Sequence, residues 1–242
     1  WKAVLGDMEI IKAFGITFAR TVIVTFFQTL ITAMFAYGFS RGNLTGKKFY
    51  TVIGFLSMYL NGGVIAYFIL FNAIHIYNTF WVYILPCLFG GFYNVIIFNT
   101  NFKAIPESLF ESAKIDGASE TKIFFRLVLP LSKPVLSALG IFTAVAMWND
   151  YTQTLYYTKS TDLQTLSYYT LSLTKSSEAA ANLGNAMNSG MSSVLTALSD
   201  AASNYKTIEL ACMVLSAIPL IVMYPFAQKF FEKGVMVGSV KG

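Results

Sequence analysis

Glu107 and Glu111 stand four residues apart in NFKAIPESLFESAKIDG, so a helix there puts both carboxylates on one face. Like charges at that spacing repel by roughly a few tenths of a kcal/mol, and a cationic partner relieves the repulsion. A second acidic position, Asp150, ends an apolar run in the tripeptide WND at 148–150. Inside a bilayer an unpaired carboxylate is costly and marks an ion or proton path; at the outer interface, beside Trp148 and Tyr151, water reaches it. Both readings stay open on these residues. His75 stands alone without ligand spacing, and Cys87 and Cys212 lie inside apolar runs as small buried residues, so no metal site is expected. GNLTGKK at 42–48 is one residue short of a phosphate-binding loop and has Lys48 where a hydroxyl should meet magnesium. No cofactor is therefore expected in this chain. Neither an HExxH pair nor two close aspartates is present, which argues against an intramembrane hydrolase.

Lipid is the solvent in which such residues must be positioned. Of 242 residues 55% are hydrophobic and 16% aromatic, with a mean hydropathy of +0.58. Only 12% are charged, where a soluble domain carries about a quarter. The net charge of +5 does not point to nucleic acid, because the Lys and Arg residues sit between apolar runs rather than on one aromatic-interleaved face. Five runs approach the length of about 20 apolar residues that a membrane helix needs: Thr21 to Phe39, Val52 to Phe71, Thr79 to Phe98, Pro134 to about Tyr157, and Ile208 to Phe230. Arg20 flanks the first, placed to snorkel toward an interface. The expected fold class is all-α, a polytopic membrane helical bundle forming a single transmembrane domain over 1–242.

Eleven Lys and Arg residues fall in the segments 41–49 and 101–133 and at the C-terminal end, against five on the opposite side, so the eleven-residue side is expected to be cytoplasmic. Segment 158–206 then forms the external loop, expected as short helices joined by Gly184 and Gly190, and 231–242 a cytoplasmic tail. No secretory signal is read at Trp1. Five spans with an internal C-terminus put the N-terminus outside, so a sixth span upstream is expected, a true five-helix chain being the alternative.

Between the third and fourth runs, 101–133 concentrates charge: six of the twenty residues from Glu111 to Pro130 are ionic. Pro106 suits the first turn of a helix, Gly117 the left-handed residue after its end, and Ser119 the cap of a second helix stopped by Pro130 and Pro134. Helix, glycine turn, helix is the expected form. Ile115, Ile123, Phe124, Phe125 and Leu127 add apolar surface, so the hairpin is either a docking surface or a loop packed on its own membrane helices.

Glu111, Ser112, Ala113, Gly117, Leu127, Val128, Leu129 and Pro130 resemble the EAA loop of permease subunits in binding-protein-dependent ABC importers, E-A-A-x3-G-x9-I-x-L-P, with Ser for one Ala and Leu for Ile. AYGFSR at 36–41, the WND tripeptide and the ending QKFFEKGVMVGSVKG are similar to the carbohydrate branch, in particular the second membrane subunit of maltose-type and complex-oligosaccharide importers. The resemblance covers most of the chain. It implies a six-span type I fold in a bacterial cytoplasmic (inner) membrane. It also implies a second homologous permease, two ATPase subunits and an external solute-binding protein as partners, with a sugar or oligosaccharide as cargo. By resemblance the loop is a coupling helix seated in an ATPase: Glu111 meets a basic residue there, Ser112 and Ala113 allow close approach, Gly117 makes the turn, and Glu107 and Asp116 complete the surface. Lys241 and Gly242 of the tail are expected to reach the ATPase dimer.

Polar groups in the spans are candidates for a translocation path: Tyr37, Asn61, Tyr67, Asn94, Trp148, Asn149 and Asp150, with Gln28, Asn99, Gln153, Tyr59, Tyr93 and Tyr151 nearby. Aromatic faces cover sugar C–H surfaces while amides and carboxylates bond hydroxyls. Each has a plainer role as well, in an interfacial belt or a helix–helix hydrogen bond. The rival mechanism is a secondary transporter in which Asp150 couples an ion gradient. Pro86 with Gly90 and Gly91, and Pro219 with Pro225, mark places where helices bend.

Overall fold

A computed structural model describes residues 8–42, 44–186, 203, 206–222 and 225. The described chain is helical, without a strand. One helix organises it. α1, Met8–Ser40, is apolar nearly all round, and at 1.5 Å per residue it is about 50 Å long, more than a bilayer core. One stripe is buried (Ile10, Ala13, Thr17, Arg20, Val24, Ala33, Ala36), while Phe18, Val22 and Phe26 on other faces are exposed as lipid contact requires. The helix starts thirteen residues before the expected Thr21, because Met8 to Ala19 carries enough apolar surface to continue it. Arg20 therefore sits within the helix and, at 0% exposed, does not snorkel outward.

Two of the expected spans are bent pairs. α2 (Lys47–Tyr59) and α3 (Gly63–Ala73) meet at 109°. The break falls at Leu60 to Gly62; Gly63 takes φ +73°, a left-handed conformation that costs glycine little, and its N–H donates to Asn61 Oδ1 at 2.9 Å. α4 (Trp81–Cys87), whose last turn carries Pro86 in a tighter 3-10 form, meets α5 (Gly91–Lys103) at 50°. That bend was expected from Pro86, Gly90 and Gly91. Gly90 is also a point of close approach: its N–H donates to Thr32 Oγ1 at 2.9 Å, and a Cβ there would lie 2.8 Å from Asn94 Nδ2.

α6 (Glu107–Ile115) and α7 (Glu120–Leu131) form the hairpin. α7 widens to a π turn over Phe124–Val128, where Leu129 N–H bonds Phe124 O. Pro130 thus lies inside α7 rather than ending it; the chain turns by 81° at Ser132 into α8, Lys133–Asn149. The fourth expected span stops at Asn149. Asp150 is extended, and α9 (Thr152–Tyr157) is a separate short helix, since the polar WNDYTQ offers side chains that cap and terminate. Among the described residues α1 alone is long and apolar enough to cross a membrane, and four crossings result if each bent pair is one span.

The expected external loop begins with a docked helix rather than short pieces. α10, Leu166–Ala186, runs through Gly184, and its Leu166 and Leu173 are buried. Gly190 and the apolar series Met187, Met191, Leu195 and Leu198 lie outside the described residues, as does the tail 231–242. α11 spans 206–222 and continues through Pro219. Three buried clusters lie along α1: Ile10 with Trp148, Leu166, Leu173 and Cys212; Val24 with Phe71, Val82, Tyr83 and Tyr157; and Ala33 to Phe39 with Phe92, Phe98, Phe110, Phe124 and Val128. The last joins the hairpin to the bundle.

Candidate functional site

α6 begins at Glu107 behind Pro106, whose ψ of 133° keeps it outside the helix as the cap residue. It ends in a Schellman motif. Gly117 at φ +70° lets its own N–H reach Lys114 O (3.0 Å) and lets Ala118 N–H reach Ala113 O (2.9 Å), satisfying carbonyls the helix end leaves open. Ser119 then caps α7, its Oγ accepting from Lys122 N–H at 3.3 Å. Helix, glycine turn and helix are thus where the sequence placed them.

The hairpin has two unlike faces. Phe110, Ile123, Phe124 and Val128 are buried with α1 and α5, so it packs on its own bundle. Opposite lie Glu111, Ser112 and Asp116, all exposed, and Ile115, 86% exposed. Both glutamates are exposed, and they differ in their partners. Glu107 bonds Arg41 at 3.3 Å, and the Arg41 guanidinium lies 4.0 Å from the Phe110 ring centroid. Glu111 has no ionic partner among the described residues. Ala113 is half-buried against the cluster, so Ser112 is the member of its pair that faces outward.

Between the hairpin and the end of α1 is a cleft of about 730 Å³ lined by Tyr37, Arg41, Glu107, Glu111, Lys114 and Glu120. The Tyr37 hydroxyl donates to Glu120, and Lys114 reaches the other Glu120 oxygen at 3.1 Å. The Tyr37 hydrogen bond, with help from Lys114 and against partial desolvation, holds the Glu120 carboxyl below its ordinary value. Tyr37, one of the candidate path residues, contacts the hairpin from α1: it is 8% exposed and packed on Phe124.

The polar candidates scatter. Asn94 meets Gln28 and Tyr93 in a cleft of about 320 Å³ between α1, α5 and α8, also lined by Thr143 and Met147. The Gln28 Oε1 there is buried and without a hydrogen-bond partner. Asn61 caps the α2–α3 break, and Tyr67 packs on Phe71; neither reaches that cleft. Trp148 is core, 2% exposed, its indole N–H donating to Ser216 O at 2.9 Å. Asn149 is exposed and donates back to Val145 O.

Asp150 is paired. Arg20, 0% exposed, donates through Nη2 to Asp150 Oδ2 and through Nη1 to the Asp150 carbonyl at 3.2 Å, with its guanidinium 4.9 Å from the Tyr83 ring centroid. Thr152 N–H and hydroxyl serve Asp150 Oδ1. A permanently charged guanidinium on the carboxylate removes the unpaired acid that the ion-coupling alternative required. Sequence reasoning missed Arg20, Arg41, Lys114 and Glu120. The usable signal was that a carboxylate in an apolar run demands a cation, and Arg20 adjoins another such run. Among the described residues no three His, Cys, Asp or Glu side chains gather as a metal site.

Comparison with known proteins bears on this arrangement. Residues 28–237 match the family described as binding-protein-dependent transport system inner membrane component. The chain is 33% identical over 242 residues to Protein LplC of Bacillus subtilis (strain 168), covering 100% of this chain and 78% of the relative. It is 33% identical over 234 residues to the polygalacturonan/rhamnogalacturonan transport system permease protein YtcP of the same organism, covering 96% and 78%. Its fold is similar to a chain in the crystal structure of a bacterial ABC transporter involved in the import of the acidic polysaccharide alginate, with a TM-score of 0.77 at 24% identity over 95% of this chain and 78% of that one.

Proposed function

Since the chain belongs to the family of binding-protein-dependent transport system inner membrane components, we propose that it carries a sugar or oligosaccharide into the cell by alternating access, driven by ATP hydrolysed on a separate subunit. As a permease subunit it is not itself an enzyme, and membership places it in the inner membrane. In this reading its partners are a second homologous permease, two ATPase subunits that bind ATP and Mg, and an external solute-binding protein. The hairpin and C-terminus face the cytoplasm, and the chain crosses the membrane five times.

The observation that carries the reading is the two-faced hairpin. Its inner face is fixed in the core, while Glu111, Ser112, Asp116 and Ile115 are presented outward with an uncompensated carboxylate among them. A surface of that kind suits a basic pocket: the small Ser112 permits approach, Ile115 supplies apolar area, and Glu111 forms a charge-assisted bond. Gly117 fixes the angle at which α6 is offered. Closure of the ATPases then pushes α6, and the push reaches the bundle through Phe110 and Phe124. Saccharide hydroxyls find acceptors and donors at Gln28, Tyr93 and Asn94, and names such as YtcP's support a saccharide as cargo.

Glu111→Lys tests the docking role in the reconstituted complex. Loss of one charge-assisted bond, about 1.5–3 kcal/mol, lowers binding-protein-stimulated ATPase activity about tenfold or more while membrane insertion persists. Undiminished stimulation contradicts it.

A further inference from the structure

The hairpin is tied to α1 by polar contacts that docking does not use. The Tyr37 hydroxyl bonds Glu120 at the start of α7, and Arg41 bonds Glu107 at the start of α6 while covering Phe110. Both donors come from the last turn and end of α1, four residues apart, and each grips a different helix of the hairpin. Lys114 of α6 bridges to the same Glu120, closing the set across the hairpin itself. Between the two grips lies a packed seam, Tyr37 on Phe124 with ring centroids 5.4 Å apart and Phe110 at 2% exposure. A loop that only filled space on its bundle needs the apolar seam and not two charged fasteners.

We propose that Tyr37 and Arg41 are positioning residues that make the hairpin and α1 one rigid lever, so that a displacement of α6 is delivered along α1 to the cleft at Gln28. Tyr37 and Gln28 are nine residues apart on one unbroken helix, about 14 Å at helical rise. Along that stretch the helix also holds the α4–α5 bend, through Thr32 Oγ1 and the Gly90 N–H. A rotation of α1 therefore moves the Gln28 side of the cleft and the bend together. Glu107, although its side chain is 69% exposed, is paired with Arg41, which leaves Glu111 as the carboxylate of α6 without an ionic partner among the described residues. The inference goes beyond transport function, because the link between hairpin and α1 exists whatever the hairpin docks on.

Spin labels at Leu109→Cys, 40% exposed on α6 and outside the docking surface, and Met34→Cys, on the exposed face of α1, report the link by pulsed distance measurement in the full complex in nanodiscs. The expected result is one narrow separation that is the same without nucleotide and with ATP trapped by vanadate. Tyr37→Phe and Glu107→Gln, both close in shape to the native residues, broaden it, and the broadening appears without nucleotide. Arg41→Glu alone does the same, and Arg41→Glu with Glu107→Arg recovers the narrow peak, a rescue that simple loss of packing does not produce. A narrow peak unchanged in the single variants overturns the proposal, as does a wild-type separation that shifts on ATP trapping. If the wild-type hairpin is instead indifferent to any ATPase while the variants broaden as stated, it is the docking reading that fails and the lever that stands.

Discussion

Asp150→Asn removes one charge and keeps the shape, and the cost follows from what it strands. Arg20 is 0% exposed, and its Nε is already buried without a partner. An uncompensated buried charge costs about 3–5 kcal/mol. The Asp150 carbonyl at 3.2 Å and the Tyr83 ring at 4.9 Å remain, which puts the loss near the lower limit, about 3 kcal/mol. Arg20→Met is milder. It leaves a carboxylate that is 21% exposed and still receives the Thr152 N–H and hydroxyl, for about 1–2 kcal/mol. With both changes no charge is stranded, and the double variant loses about 1 kcal/mol, far less than the singles combined. The assay is a double-mutant cycle by SDS-induced unfolding in mixed micelles, followed by circular dichroism. Additivity within about 0.5 kcal/mol, or Arg20→Met proving the more damaging, refutes the assignment of a buried, mutually compensating pair.

Gly117→Val places a β-branched side chain at φ +70°; it costs about 1 kcal/mol or more, disrupts the Schellman turn and lowers recovery of the ATPase with the complex by pull-down. Glu120 sets a pH dependence: its native pKa lies below the ordinary 4.5, so its contribution to holding the hairpin is complete above that value and lost as pH falls through the native one. The Leu109–Met34 separation therefore stays narrow at neutral pH and broadens in acid below 4.5, whereas Glu120→Gln is broad throughout; a profile independent of pH contradicts this.

What the sequence revealed was local. Pro106, Gly117 and Ser119 act within a few residues of themselves, so the hairpin was legible from its caps, and Pro86, Gly90 and Gly91 announced the α4–α5 bend for the same reason. Pairings across the chain were not. Arg20 and Asp150 are 130 positions apart, and a hydropathy window that opened the first span at Thr21 made Arg20 its flank. Tyr37 and Trp148 read as path residues because an aromatic with a polar tip suits a sugar face and a core contact equally well; Glu120 and Ser216 decide between these, and their proximity is not written in spacing. Glu107 and Glu111 share a helix register and line one cleft, yet Arg41 pairs with only one of them, which the placing of α1 beside the hairpin determines.

A photo-crosslinking amino acid at position 112, on the outward face of α6, tests the docking claim most directly in native membranes. The account predicts a product joining this chain to a nucleotide-hydrolysing subunit from the cytoplasmic side. A product confined to the permease chains, or position 112 labelled by impermeant reagent from outside the cell, contradicts it.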